Sequence, residues 1–347
     1  MLVDSPPEQR ADTAPAPPNR RAIRALGLLV SLVILLLVAL ASIAIGAKEL
    51  PLDQVWHGLF HDTGTYADVV VDARLSRTVL GLLAGAALGL SGAVLQALTR
   101  NPLADPGLLG INAGASAAVV TAITYFGVST LNGYVWFAFL GAAAVGALVW
   151  FLGGSRGATP VRLALAGTAI SAALYGYLQA VMITDDAALN KLRFWTVGSL
   201  ASASDSTILQ VLPFLAAGTL LALGLARPLN AVAMGDDTAR ALGANLARTR
   251  ALAMLAATVL CGAATAACGP IAFVGLMVPH AVRSFTGPDL RWILPYATVL
   301  SPVLLLGADV IGRIVARPAE LQVGIVTAII GGPVFILLVR RRRTAQL

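Results

Sequence analysis

The sequence predicts an all-α polytopic membrane protein, and three observations carry that reading. Hydrophobic residues fill 58% of the 347 positions and charged residues only 12%, at a mean hydropathy of +0.82, a balance foreign to soluble domains. The apolar residues come in long unbroken runs rather than in alternation. That selects helices over a closed barrel, because a lipid-facing backbone must satisfy its own hydrogen bonds. The charges sit between the runs and are unevenly divided, as expected of loops on two sides of a bilayer.

Taken in order, residues 1–24 read as a disordered cytoplasmic tail, rich in Pro, Ala and acids and closing on Arg20, Arg21 and Arg24. The apolar run 25 to 47 is too long for a cleaved signal peptide and is expected to span the membrane. Residues 48 to 73 form a polar interval whose His57 and His61, four apart without an HExxH pattern, read as solvated surface groups. Further spans are expected near 75 to 98, 107 to 127, 132 to 153, 161 to 183, 206 to 227, 250 to 268, 270 to 286, 292 to 312 and 321 to 340, making ten. The membrane-spanning body is thus 25–340, followed by a basic tail, 341–347.

An even number of spans puts both termini on one side. The intervals sharing that side hold 17 of the 24 lysines and arginines, so both termini are expected in the cytoplasm. Trp136, Trp150 and Trp292 fall at span ends, where interfacial anchors belong. Arg74, Arg77, Arg313 and Arg317 then lie on the outer side, against the usual bias. Two readings stand side by side: pairing with nearby acids such as Asp68, Asp72 or Glu320, or an outer cationic rim that docks an acidic partner.

The central stretch from Arg74 to Asn112 begins with that arginine pair, continues from Val79 to Thr99 without an ionised side chain, and breaks at Asn101-Pro102. Gly81, Gly85, Gly89 and Gly92 narrow it for close helix packing. Cys261 and Cys268, two helical turns apart, are beyond disulfide reach and read as small core residues.

The chemistry is mostly one of exclusion. Asp309 alone is an ionisable group within an expected span, and it lies near the outer end, which argues against a proton or cation relay. The two lysines, Lys48 and Lys191, are in no P-loop context, so ATP hydrolysis by that route belongs to another subunit. No convergent acid, base or metal cluster marks an enzyme, and scattered basic residues exclude a nucleic-acid interface. The interval 228–249 reads either as an ordinary surface connector, which amphipathicity by itself favours, or as an attachment point for such a motor. Asp236, Asp237 and Thr238 suggest a capped acidic helix start, Ala239, Leu242 and Leu246 share a face, Gly243 ends or bends the helix, and Asn245 suits a left-handed turn.

Four ordered motifs carry a family resemblance: RLSRTVLGLLAGAALGLSGAVLQALTRNPLADPGLLG at 74 to 110, MGDDTARALGANLAR at 234 to 248, CGPIAFVGLMVPHAVRSFTGPDLR at 268 to 291, and GADVIGR with PAELQVGIVTAIIGGPVF at 307 to 335. The chain resembles the FecCD-type permeases, membrane subunits of ABC importers for ferric siderophores, haem and cobalamin. The wording of its central motif is most like that of ferric-siderophore permeases; haem or cobalamin import is the alternative, and an energy-independent channel or secondary transporter the competing class.

The resemblance implies a type II ABC importer permease fold in the inner (plasma) membrane. It implies no cofactor on this chain, and ATP and magnesium on a separate nucleotide-binding subunit. It also implies a second permease copy or related permease, a periplasmic or lipid-anchored substrate-binding protein, and surrounding membrane lipid. Arg74, Arg77 and Arg313 match the arginines that meet the binding protein, with Ser76 in place of the usual proline. Gly235, Asp236, Asp237, Ala239, Arg240, Leu242, Gly243 and Leu246 match the coupling helices. Asn101 and Leu103 match a cytoplasmic gate, and Phe194, Trp195 and Gly198 an outer one.

Overall fold

The structure, a computed structural model, describes residues 20–61, 64–128, 130–154, 160–185, 189 and 195–344. Among these residues it contains thirteen α-helices and a 3-10 turn: α1 (Arg20–Ala44), α2 (Leu52–Phe60), α3 (Tyr66–Thr99), the turn Pro106–Leu109, α4 (Ile111–Phe126), α5 (Leu131–Gly154), α6 (Pro160–Thr184), α7 (Asp205–Gly224), α8 (Ala226–Ala233), α9 (Asp236–Ala241), α10 (Leu246–Cys268), α11 (Val274–Thr286), α12 (Leu290–Val315) and α13 (Val323–Thr344). Each expected span coincides with a helix. Seven of them (α1, α3, α5, α6, α7, α10 and α12) are long and apolar enough to cross a membrane, while α4 and the apolar part of α13 are shorter.

The local sequence explains where the boundaries differ from expectation. Helix α3 starts well before the expected 75, because Thr65 and Asp68 form a reciprocal capping box. Part of the interval read as polar, 48 to 73, is therefore helical, α2 included. Its far end stops at Arg100, which adopts the left-handed conformation with φ of 51°. The expected span 107 to 127 is divided by Gly110, which ends the 3-10 turn at φ 74° before α4 begins. The expected span 270 to 286 becomes the 13-residue α11, since Phe273 with φ of 70° precedes its first turn. At the C-terminus α13 runs through Thr344, so the expected basic tail is largely a continuation of the last helix. The expected tail at 1 to 19 lies outside the described residues.

Burial ranks the helices. The apolar stretches of α3 and α10 are 78% buried, whereas those of α1 and α6 are only 11% and 17% buried. The four glycines of α3 account for its central place. A Cβ on Gly85 would lie 2.6 Å from the Pro302 backbone, one on Gly81 would overlap Leu306, one on Gly89 would overlap Ser301, and one on Gly92 would overlap the carbonyl of Gly275. Helix α3 thus lies antiparallel along α12 and against α11 at backbone distance. Ser91 adds a hydrogen bond to the carbonyl of Ala257 in α10 at 2.9 Å. Cys261 and Cys268 are free and buried in that interior.

Gly92→Val is expected to cost roughly 3 kcal/mol or more by forcing α3 off α11, seen as loss of monodisperse protein in detergent. Gly176→Ala, where a Cβ meets nothing within 4 Å, should leave the elution profile unchanged; equal behaviour of the two variants would mean that backbone proximity does not hold this core.

Candidate functional site at the two ends of helix α3

Functional side chains gather at the two ends of α3. At its beginning, Arg74 and Arg77 are one turn apart, and Asp309 and Arg313 are one turn apart near the end of the antiparallel α12. Asp309 has no exposed surface and Arg313 1%. Arg77 binds Asp309 in a fork, Nε to Oδ2 at 3.0 Å and Nη2 to Oδ1 at 2.7 Å, and reaches Glu320 Oε2 with Nη1 at 2.6 Å. Arg313 approaches the same carboxylate from the other side at 3.0 Å.

The guanidiniums also cap α1. Arg74 Nη1 donates to the carbonyls of Ile43 at 3.1 Å and Ala44 at 2.9 Å, and its Nη2 to that of Lys48 at 2.6 Å. Arg313 Nη1 donates to the carbonyls of Ser42 and Ile45, both at 2.9 Å. These are the carbonyls that a helix C-terminus leaves without intrahelical partners, and cations are favoured there. Of the two readings from sequence, the pairing one describes these side chains. Arg74, Arg77 and Arg313 are buried and held by α1, Asp309 and Glu320, and the exposed cations nearby are Lys48 and Arg317. Of the acids named as neighbours from sequence, Glu320 pairs with Arg77 at 2.6 Å. Arg74, Arg77 and Arg313 still line an open cleft of 730 Å³ together with Lys48, Glu49 and Tyr66. Ser76 donates to Asp205 Oδ1 at 2.6 Å, tying α3 to the first turn of α7.

At the opposite end, α8 and α9 form the short helices expected over 228–249. Asp236 receives the Arg250 guanidinium at 2.8 Å and also pairs with Arg100, which closes α3. Arg100 Nε donates to the carbonyl of Val232 at 2.9 Å. Partial desolvation works to raise the Asp236 carboxyl, but the hydrogen bonds from Arg100 and Arg250 outweigh it and hold the group below the usual carboxylate range. Asn230 in α8 donates to Asp289 at 2.7 Å and accepts from the Leu290 N–H at 2.9 Å. The segment is therefore fastened to the ends of α3, α10 and α12.

Three local expectations are corrected. Helix α9 follows Gly235, φ 116°, at its N-cap and has no side-chain cap, since glycine offers none and Asp236 is the first helical residue. Ala239 and Leu246 pack together with Val232, but Leu246 opens α10 and Leu242 stands 64% exposed, so the three do not share one buried face. Asn245 caps α10 through Arg248 N rather than making a left-handed turn. Gly243, at φ 77°, does follow the end of α9, and Asp237 and Arg240 form an exposed pair at 3.0 Å.

The expected gate residues separate. Asn101 Oδ1 accepts from Leu103 N at 3.0 Å in the turn after α3, and Asn101 lines a 330 Å³ cavity with Thr99, Asp105 and, from α6, Thr168. Leu103 does not line it. Trp195 is buried at 8% exposure, with its Nε1 lacking a partner among the described residues. Its segment is held where α10 breaks, Ser199 N donating to the Cys268 carbonyl at 2.8 Å and Gly324 N to the Gly198 carbonyl at 3.2 Å. Phe194 lies outside the described residues. Sequence reasoning missed Arg100, Asn230, Arg250 and Asp289, because no local pattern pairs residues 59 or 136 positions apart.

Known structures and sequences agree with this architecture. At a TM-score of 0.80 and 28% identity, over 91% of this chain and 99% of its counterpart, the fold matches a metal-chelate type ABC transporter solved in an inward-facing conformation. The bundle is thus the membrane permease of an ABC transporter. More narrowly, the FecCD transport family model matches residues 34–341, and the chain belongs to that family. Relatives include the ferric enterobactin transport system permease protein FepD of Escherichia coli, 50% identical over 93% of this chain and 96% of the relative. The probable siderophore transport system permease protein YfiZ of Bacillus subtilis is 37% identical over 90% and 95%. The hemin transport system permease protein HmuU of Yersinia pestis is 38% identical over 90% and 94%.

Asp309→Asn leaves two buried guanidiniums without their shared counter-charge and is expected to cost about 3–5 kcal/mol, read as a lowered thermal transition in detergent. Glu320→Gln, at a half-exposed pair, should cost about 1 kcal/mol or less; the reverse order would mean that Asp309 is not the keystone. A second outcome concerns pH. The Arg291 side chain, against a smaller desolvation penalty, draws the Asp289 carboxyl down to about 2. A depressed carboxyl stabilises fully above its ordinary value, and that contribution is lost as pH falls from about 4 towards 2. The gap in thermal stability between wild type and Asp289→Asn should be present at pH 7 and close across that window; a gap independent of pH would refute the ionic origin.

Proposed function

We propose that this chain is the membrane-spanning permease of an ATP-driven importer that carries a ferric siderophore inward. The observation that carries the permease reading is the fastening of α8 and α9 to three helix ends by Asp236 and Asn230, while Met234 and Leu242 stand 67% and 64% exposed. Short helices tied to the bundle with apolar knobs turned outward suit seating in a cleft of a separate motor subunit. ATP and magnesium would act there, and this chain would have no catalytic residue. Gly235, Asp236, Asp237, Ala239, Arg240, Leu242, Gly243 and Leu246 make up that coupling element.

The substrate follows from the relatives, among which a ferric enterobactin permease is 50% identical over nearly the whole chain. Hemin is the second reading, favoured by the hemin permease at 38%. The path would run beside α6. This helix has the lowest mean hydropathy of the seven long ones, 1.3, and exposes Thr168, Tyr175 and Gln179. Such groups are costly against lipid and suit a water-lined conduit between two permeases, either copies or related chains. Asn101 and Leu103 at one end and Trp195 at the other would bound that conduit. The protein would lie in the inner membrane with ten spans and both termini in the cytoplasm. An extracytoplasmic binding protein would dock over the cleft that Arg74, Arg77 and Arg313 build, with Lys48 and Arg317 as the exposed cations at its rim.

Uptake of iron-loaded enterobactin by iron-starved cells tests this. A deletion should abolish uptake, and Asp236→Ala should lower it at least about tenfold, the scale of a lost charge-assisted link, with the permease still in the membrane and still co-purifying with its motor subunit. Normal siderophore uptake with lost hemin uptake in the deletion would establish the second reading. Full uptake by the Asp236→Ala protein would remove this residue from coupling.

A further inference from the structure

Beside the coupling element, and sharing Leu242 and Gly243 with it, lies a groove to which the transport reading gives no ligand. It has a volume of 650 Å³ and opens between the junction of α7 with α8 and the loop that leads into α10. Arg227 and Arg248 stand on its two sides, both exposed, and neither guanidinium has a partner among the described residues. No carboxylate lines it. Its floor is apolar, made of Leu220, Leu221 and Leu225 from α7 and its end, and Leu252 from α10.

Further along the same two helices a second, apolar groove of 450 Å³ opens, lined by Phe214 of α7, Met254 and Leu255 of α10, and Phe139 and Trp150 of α5. Leu221 and Phe214 are seven apart on α7, and Leu252 and Leu255 three apart on α10, so each pair shares a helix face. A cationic mouth therefore leads onto an apolar furrow running along two membrane-spanning helices.

We propose that this groove binds an anionic phospholipid, its phosphate between Arg227 and Arg248 and an acyl chain laid along the α7/α10 furrow. The chemistry favours a lipid over a protein side chain. The floor belongs to helices long and apolar enough to cross the bilayer, Leu220 on its edge is 72% exposed, and a Cβ on Gly224 meets nothing within 4 Å, so the groove is open on its side, where α7 ends and α10 begins. Paired arginines at such a mouth recognise negative headgroups and not zwitterionic ones. Because Gly243 and Ala244, which follow α9, form part of the wall, an occupied groove also braces the coupling element against the bilayer. This inference goes beyond the transport reading and does not depend on the substrate.

The test is native mass spectrometry of the full-length permease titrated with phosphatidylglycerol or phosphatidylcholine, alone and in complex with its motor subunit. The expected result is retention of phosphatidylglycerol over phosphatidylcholine. Arg227→Gln with Arg248→Gln should weaken that retention on the order of 30-fold, two guanidiniums at about 1 kcal/mol each. The double lysine variant should keep most of it, and Lys48→Gln, at the other end of the molecule, should keep all of it. Equal retention of the two lipids, or undiminished phosphatidylglycerol binding by the double glutamine variant, would overturn the proposal. So would displacement of the lipid by millimolar inorganic phosphate, which would make the site one for a free anion. Loss of the lipid on assembly with the motor subunit would instead assign the groove to that protein.

Discussion

The structure depends first on a single buried carboxylate. Asp309 lies at zero exposure between Arg77 and Arg313, and without it two guanidiniums would sit in the interior with no counter-charge, at a cost of several kcal/mol each. With it, Arg313 keeps its Nη1 for the last carbonyls of α1, beside those that Arg74 caps. That matters because α1 is the least buried of the long helices, at 11%, and so has little packing area to hold it. Arg317, donating to the Gly46 carbonyl at 2.9 Å, extends the same capping. The attachment of the first helix is thus a consequence of one aspartate two hundred and more residues downstream.

The two ends of α3 differ in the strength of their polar links, and the difference has mechanical meaning. The Asp309 cluster is dry and shared among several donors, so it resists rearrangement. The links of Asp236 to Arg100 and Arg250 involve side chains 16% to 37% exposed, and partly solvated pairs of this kind are individually weak. They can be broken and remade at small cost while still transmitting position when formed. A motor pushing on α8 and α9 would meet a remakeable joint at one end of α3 and a locked one at the other.

Much of the fold was legible because membrane insertion writes itself plainly. Seven of the apolar runs are helices long and apolar enough to cross a membrane, and the glycines of α3 do stand where helices pack closely. The capping box at Thr65 and Asp68 was present in the sequence but hidden inside an interval that composition marks as polar. The ends of α4 and α11 were harder, since Gly110 and Phe273 adopt positive φ that an apolar run conceals. At the site, charge bias singled out Arg74, Arg77 and Arg313 but could not say which way they face. That is decided by carbonyls at 42 to 45, and backbone acceptors leave no signature in residue identity. The pairing of Asp236 with Arg100 and of Asn230 with Asp289 is tertiary in the same sense.

The manner of packing also constrains how the permease can change shape. Where α3 meets α12 at Gly85 and α11 at Gly92, backbone lies against backbone, so side-chain rotation there absorbs little of a displacement, and interiors packed this closely move as units rather than deform. Helices α3, α10, α11 and α12 are therefore expected to travel together. Helix α6, 17% buried, has fewer obligations, and it carries Thr168 beside the cavity that Asn101 and Asp105 also line. If a conduit runs beside α6, a change in which face is open would tilt a closely packed block against lightly held helices, and would load the partly exposed links of Asp236 to Arg100 and Arg250 before the buried Asp309 cluster.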